Sequence, residues 1–61
     1  MTMALNPRQQ AMLHHVREHG SLKTEALAAQ FGTTLQTIRR DVQRLTETGA
    51  MERFHGGVRA I

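Results

Sequence analysis

Arginine and glutamine recur along one side of the stretch from Thr34 to Thr48, T-L-Q-T-I-R-R-D-V-Q-R-L-T-E-T. Their forked donors and acceptors match the major-groove edges of guanine and adenine, and arginine also takes phosphate. Thr34 is a helix N-cap residue type, and beyond it Leu35, Ile38, Val42 and Leu45 share one stripe at the i, i+3, i+7 and i+10 spacing of a helix. That stripe is expected to face a core. At about 100° per residue, Gln36, Arg40, Gln43 and Glu47 point nearly opposite Ile38, with Arg39 and Arg44 on the flanks. This is the layout of a recognition helix, although a solvated helix face carries the same residue types without binding anything.

The elements that would position this helix are legible on either side of it. Asn6-Pro7 is a helix start, with Asn6 as N-cap, Pro7 at the first helical position and Gln9 reaching back as in a capping box. That helix runs to His19 and ends on Gly20 as an αL cap, burying Ala11 or Met12, Leu13 and Val16. Ser21 and Leu22 leave room for a very short extended piece. A two-turn helix from Lys23 or Thr24 then buries Leu27, Ala28 and Phe31 before Gly32 stops it, and Gly32 to Thr34 is long enough only for a tight turn. A short helix, a glycine-bearing turn and an arginine-rich helix make a helix-turn-helix, about residues 22–46. Gly49 closes the third helix as Gly20 closes the first.

Ala50 to Phe54 and Val58 to Ile61 flank His55-Gly56-Gly57 and read as a β-hairpin, a wing over about residues 50–61. Met51 and Phe54 would form its inner face if a bulge interrupts strict alternation. The expected architecture is mainly α with a small β-hairpin, a three-helix winged helix-turn-helix over residues 6–61 after a frayed start at residues 1–5.

The totals agree with one small domain. The chain has 61 residues, 39% of them hydrophobic, and such a chain buries only about 60% of the surface its unfolded form exposes. With no cysteine, disulfides, thiolate metal sites and cysteine nucleophiles are excluded. Eight Lys+Arg against five Asp+Glu give a net charge of +3, and Arg39, Arg40 and Arg44 cluster together, which suits a polyanion. No apolar run approaches the ~20 residues needed to span a bilayer, and no signal-peptide segment opens the chain, so a soluble, cytoplasmic protein is expected.

Other chemistries fit less well. His15 and His19 at i and i+4 could share a metal such as zinc, but they supply two nitrogens only, and no cofactor or metal is expected. No nucleophile, base and orienting group fall together, and so thin a core leaves little room for a substrate pocket, which argues against an enzyme. Without Trp or Tyr the chain lacks stacking platforms for splayed RNA bases. A winged-helix module that binds another protein is the alternative of a different class. Against it, the basic residues fall on the outward helix face and the wing, with only Glu47 and Glu52 breaking that polarity.

The residues resemble the N-terminal DNA-binding domain of the DeoR family of bacterial transcription regulators. The likeness runs through Arg8, Met12 and Leu13, Gly20, Leu27-Ala28, Phe31-Gly32, Gln36 to Asp41, Leu45, Gly49, Arg53 and His55-Gly56-Gly57. The T-I-R-R-D run with a downstream R-x-H-G-G is its specific part, and within the family the chain looks most similar to regulators of glycerol-3-phosphate metabolism. The resemblance implies a winged helix-turn-helix that binds a double-stranded operator, usually as repressor of a sugar or polyol operon. It also implies a C-terminal effector domain, absent from this chain, through which the parent protein oligomerises while the isolated domain stays monomeric. Lys23 stands where serine is usual as an N-cap, which is expected to pass the cap to Thr24 and shift the second helix by a residue. Leu35 stands where proline is common.

These readings assign roles. Gln36, Thr37 and Arg40, early on the outward face, are expected at base edges, and Arg39 and Arg44 at phosphates. Thr34 would offer its hydroxyl to a phosphate, and Gln43 could do either. Arg53, His55, Gly57 and Arg59 are the expected wing contacts, the glycine by close backbone approach. Asp41 lies about 60° off the apolar stripe. Facing DNA it would be repelled, so it is expected to pair with an arginine or polar group of the domain itself.

Overall fold

A computed structural model describes residues 5–61; the start expected to fray, residues 1–4, lies outside them. Leu5, included in that expectation, instead packs against the core, and its carbonyl accepts from Gln10 Nε2 at 3.0 Å.

Helix α1 spans Pro7–His19. The capping box forms as its residue types dictate: Gln9 N donates to Asn6 Oδ1 at 2.8 Å, and Asn6 N donates to Gln9 Oε1 at 3.1 Å. Of the expected stripe Met12 and Val16 are buried, Leu13 is half-buried, and Ala11 is exposed. Gly20 ends the helix with φ +83° but ψ −49°, outside the left-handed helical region expected of it. Its N–H donates back to the Val16 carbonyl.

Strand β1 is Ser21–Lys23, and α2 follows at once as Thr24–Phe31. Lys23 itself is the N-cap, without a side-chain hydrogen bond, so the expected hand-over of the cap to Thr24 does not occur. Thr24 is occupied elsewhere, since its N–H and hydroxyl both donate to the Gly56 carbonyl, at 3.1 and 3.3 Å. Gly32 closes α2 in the left-handed conformation, with Gly32 N to Ala29 O and Thr33 N to Ala28 O as the paired bonds of a Schellman motif. Helix α3, Leu35–Glu47, ends in the same manner at Gly49 and Ala50, which donate to Thr46 and Leu45. Gly49 thus matches Gly32 rather than Gly20.

Strands β2 (Met51–Phe54) and β3 (Gly57–Ala60) form the hairpin, and β1 adds to it, giving an antiparallel sheet in the order β1-β3-β2. The loop is two residues, His55-Gly56, because Phe54 pairs with Gly57. Gly56 alone of the two has positive φ, the pattern of a type II turn. No bulge interrupts the pairing. Met51 and Arg53 therefore share a face with their partners Ala60 and Val58, and Phe54 falls on the opposite face rather than beside Met51. Thr24 N to Gly56 O and Ala60 N to Gly20 O extend the contact of β3 with β1 at both ends, so the wing is fastened to the α1–α2 connection.

Met12, Val16, Leu27, Ala28, Ile38, Val42, Leu45, Met51 and Val58 form one core, drawn from three helices and both hairpin strands. Phe31 is half-buried at its margin. Leu35 departs from the expected stripe: at 37% exposure it lies on the surface at the start of α3.

Candidate nucleic-acid interface

Helix α3 is fixed along its inner face before its outer face is available to anything. Thr34 N-caps it, accepting from Thr37 N at 3.2 Å and donating its hydroxyl to Thr37 Oγ1 at 3.1 Å. The Thr34 hydroxyl thus engages Thr37 at the helix start, at an exposed position. Ile38, Val42 and Leu45 hold the helix through the core.

Asp41, 2% exposed, is the buried charge among these apolar side chains. Arg8 grips it with two donors, Nε to Oδ2 at 2.6 Å and Nη2 to Oδ1 at 3.1 Å, and Gln9 Nε2 donates to Oδ1 at 3.1 Å. The carboxylate has its hydrogen bonds satisfied, which is the condition for burying it at tolerable cost. The Arg8–Asp41 hydrogen bonds, and then the charge of Asp41, raise the pKa of Arg8 above its ordinary value. Gln9 belongs to the α1 capping box as well, so one side chain links the start of α1 to the middle of α3. The expectation that Asp41 pairs within the domain holds. Its partners, more than thirty residues away in sequence, carried no local signal.

The outer face of α3 carries Gln36, Arg39, Arg40 and Gln43, all exposed; Thr37 and Arg44 are half-buried beside them. Gln43 Nε2 lies 3.4 Å from Glu47 Oε2, a weak exposed contact within the helix. Arg39, Arg40 and Arg44 make no ion pair within the described residues, where the arginines paired with a carboxylate are Arg8 and Arg59.

The wing divides its expected residues. Arg53 and Arg39 line one open concavity of about 240 Å³ between α3 and the hairpin, with Thr24, Val42 and Phe54 around them. His55 and Gly56 are exposed at the hairpin tip. Gly57 also lines that concavity. It is buried, and a Cβ there would lie 2.6 Å from the Leu22 carbonyl oxygen and 2.6 Å from Phe54 Cζ, so glycine is required by the sheet's own packing. The turn glycine open to close approach is Gly56. Arg59 lies across the ladder from Glu52, its Nε 2.7 Å from Oε1, on the face opposite Arg53, both side chains exposed.

Two rival readings meet the same geometry. The His15 and His19 rings stand 4.5 Å apart, His19 Nδ1 is 2.9 Å from the His15 carbonyl, and the described residues contain no group of three potential metal ligands. A protein-docking face calls for an apolar patch. The exposed large apolar side chains among the described residues are Leu35 and Ile61, at opposite ends of the α3-to-wing segment in sequence. Among the described residues no helix is long and apolar enough to cross a membrane.

Comparison with known proteins agrees with this geometry. The chain is 39% identical over 54 residues to the HTH-type transcriptional regulator IolR of Bacillus subtilis and 43% identical over 54 residues to the L-fucose operon activator of Escherichia coli, in both cases 88% of this chain. It is 36% identical over 55 residues, 90% of this chain, to the glycerol-3-phosphate regulon repressor of Escherichia coli. The glycerol-3-phosphate regulator is thus among the relatives without standing apart from them. The chain spans only 22% of the length of each of these three. No solved structure matches it. Residues 8–61, from the arginine that holds Asp41 to the last residue after the wing, match the family described as the DeoR-like helix-turn-helix domain, and the chain belongs to that family.

Proposed function

We propose that this chain binds double-stranded DNA as the DNA-binding domain of a bacterial transcription regulator, a repressor of a sugar or polyol operon. The observation that carries the reading is the division of α3. Its inner face is locked by Ile38, Asp41, Val42 and Leu45, and its outer face presents Gln36, Arg39, Arg40 and Gln43 free of carboxylate salt bridges.

In this reading α3 enters the major groove with its N-terminal half, placing Gln36, Thr37 and Arg40 at base edges. Arg39 and Arg44 take phosphates on the flanks, and Gln43 reaches either. Arg53 and His55 bring the wing to the sugar-phosphate backbone or minor groove. One domain makes few contacts, so the monomer binds weakly. A parent protein with a C-terminal effector and oligomerisation domain would place two such domains about one helical turn, ~34 Å, apart on a quasi-palindromic site.

The test is selection from a random duplex pool by the domain, followed by fluorescence anisotropy of the enriched duplex and a scrambled one at two salt concentrations. Tighter, salt-sensitive binding to the enriched duplex is expected. No enrichment and no low-salt binding would sink the DNA-binding reading in favour of a protein partner.

A further inference from the structure

We infer that the concavity between α3 and the wing is the seat of a single DNA phosphodiester held jointly by Arg39 and Arg53. This rests on the DNA-binding reading and goes beyond it, which gave these two arginines separate contacts.

Three observations lead to it. First, Arg39 on α3 and Arg53 on β2 line the same concavity, and no carboxylate lines it. Both are exposed and neither forms a salt bridge among the described residues, so two guanidinium groups face one space without a counter-charge. Second, the space is open and roomy enough for a backbone group. At about 240 Å³ it equals several waters at ~30 Å³ each, and it opens to solvent, as a site for a passing strand must. Third, the walls are fixed relative to each other. Val42 of the floor is a core residue, Arg53 pairs in register with buried Val58, and Thr24 ties the wing tip to α2 through the Gly56 carbonyl. The two arginines are thus carried on a rigid frame.

The geometry of the duplex supplies the ligand. The major and minor grooves are separated by one sugar-phosphate ridge, so an element in the major groove and a wing beside it must have that ridge between them. The cleft between α3 and β2 is where the ridge passes. A phosphodiester there accepts from both forks, each a charge-assisted contact.

The experiment replaces phosphates of the enriched duplex one at a time by uncharged methylphosphonates and measures binding by wild type, Arg39→Ala, Arg53→Ala and the double variant. Because both side chains are exposed, the variants are expected to keep the fold, which the amide NMR spectrum verifies. Joint seating predicts one position where neutralisation costs the wild type about tenfold in affinity. At that same position the penalty shrinks in each single variant and vanishes in the double. Loss of sensitivity at two different positions would overturn joint seating while leaving DNA binding intact, as would penalties that neither variant alters. Failure of the wild type to bind the unmodified duplex would instead remove the underlying reading, and the joint seat with it.

Discussion

Arginine occupies two contrasting neighbourhoods of this domain. Where α1 meets α3, Arg8 is committed to Asp41 by two hydrogen bonds, and the buried carboxylate leaves it no freedom. In the cleft between α3 and the wing, Arg39 and Arg53 share a concavity with no carboxylate on its walls. The residue type is the same and the environments are opposite. What separates a structural arginine from one available to a ligand is whether the fold supplies its counter-charge; Arg59, whose pair with Glu52 is exposed on both sides, stands between the two cases.

The sharpest way to break this contrast is at Asp41. Asp41→Ala removes the acceptor of three hydrogen bonds inside the domain and should cost about 2–4 kcal/mol of stability in urea denaturation. A cost within ~0.5 kcal/mol of zero would mean that the α1–α3 junction does not depend on this carboxylate.

The wing offers the next largest effect. Gly57→Ala places a Cβ 2.6 Å from a backbone oxygen and should destabilise by about 1–3 kcal/mol. Gly56→Ala meets open space and bears only the strain of positive φ, about 1 kcal/mol. Thermal melts of the two variants compare them directly, and the reverse order would contradict the packing of Phe54 over Gly57.

On α3, Arg40→Ala should relax base preference by about 1–3 kcal/mol at one base pair, whereas Arg44→Ala should weaken all sequences alike and lower the salt slope by about one. Equal behaviour of the two in binding titrations would erase the division between base reader and phosphate clamp. The smallest effect belongs to Arg59→Ala. Its exposed pair with Glu52 is worth less than ~1 kcal/mol, and its loss should leave DNA affinity nearly unchanged. A large drop in affinity would return Arg59 to the interface.

What the sequence reveals and withholds follows from how local the governing physics is. The Asn6-Pro7 start, the Gly32 stop and the Thr34 cap are settled by chemistry within four residues, and each is legible. The stripe Ile38, Val42 and Leu45 is legible because helical periodicity alone sorts it. Leu35 shares the period but lies at the helix entry, where the core has ended. The third strand is three residues with no periodicity of its own, and it exists because β3 offers a partner. Register likewise decides what composition cannot: it sets Arg53 across from Val58, Arg59 across from Glu52, and Phe54 across from Gly57. The inward turn of Asp41 could be read from its angle, but the identity of Arg8 and Gln9 as its partners could not.

The most direct test of the account is an NMR titration of the labelled domain with the enriched duplex and a scrambled one, at two salt concentrations. The account predicts salt-sensitive amide shifts concentrated on Gln36 to Arg44 and on Arg53 to Gly56, larger for the enriched duplex, with Arg8 and Arg59 little changed. Shifts centred on α1 or on the Arg59 face of the sheet, or none at low salt, would contradict it.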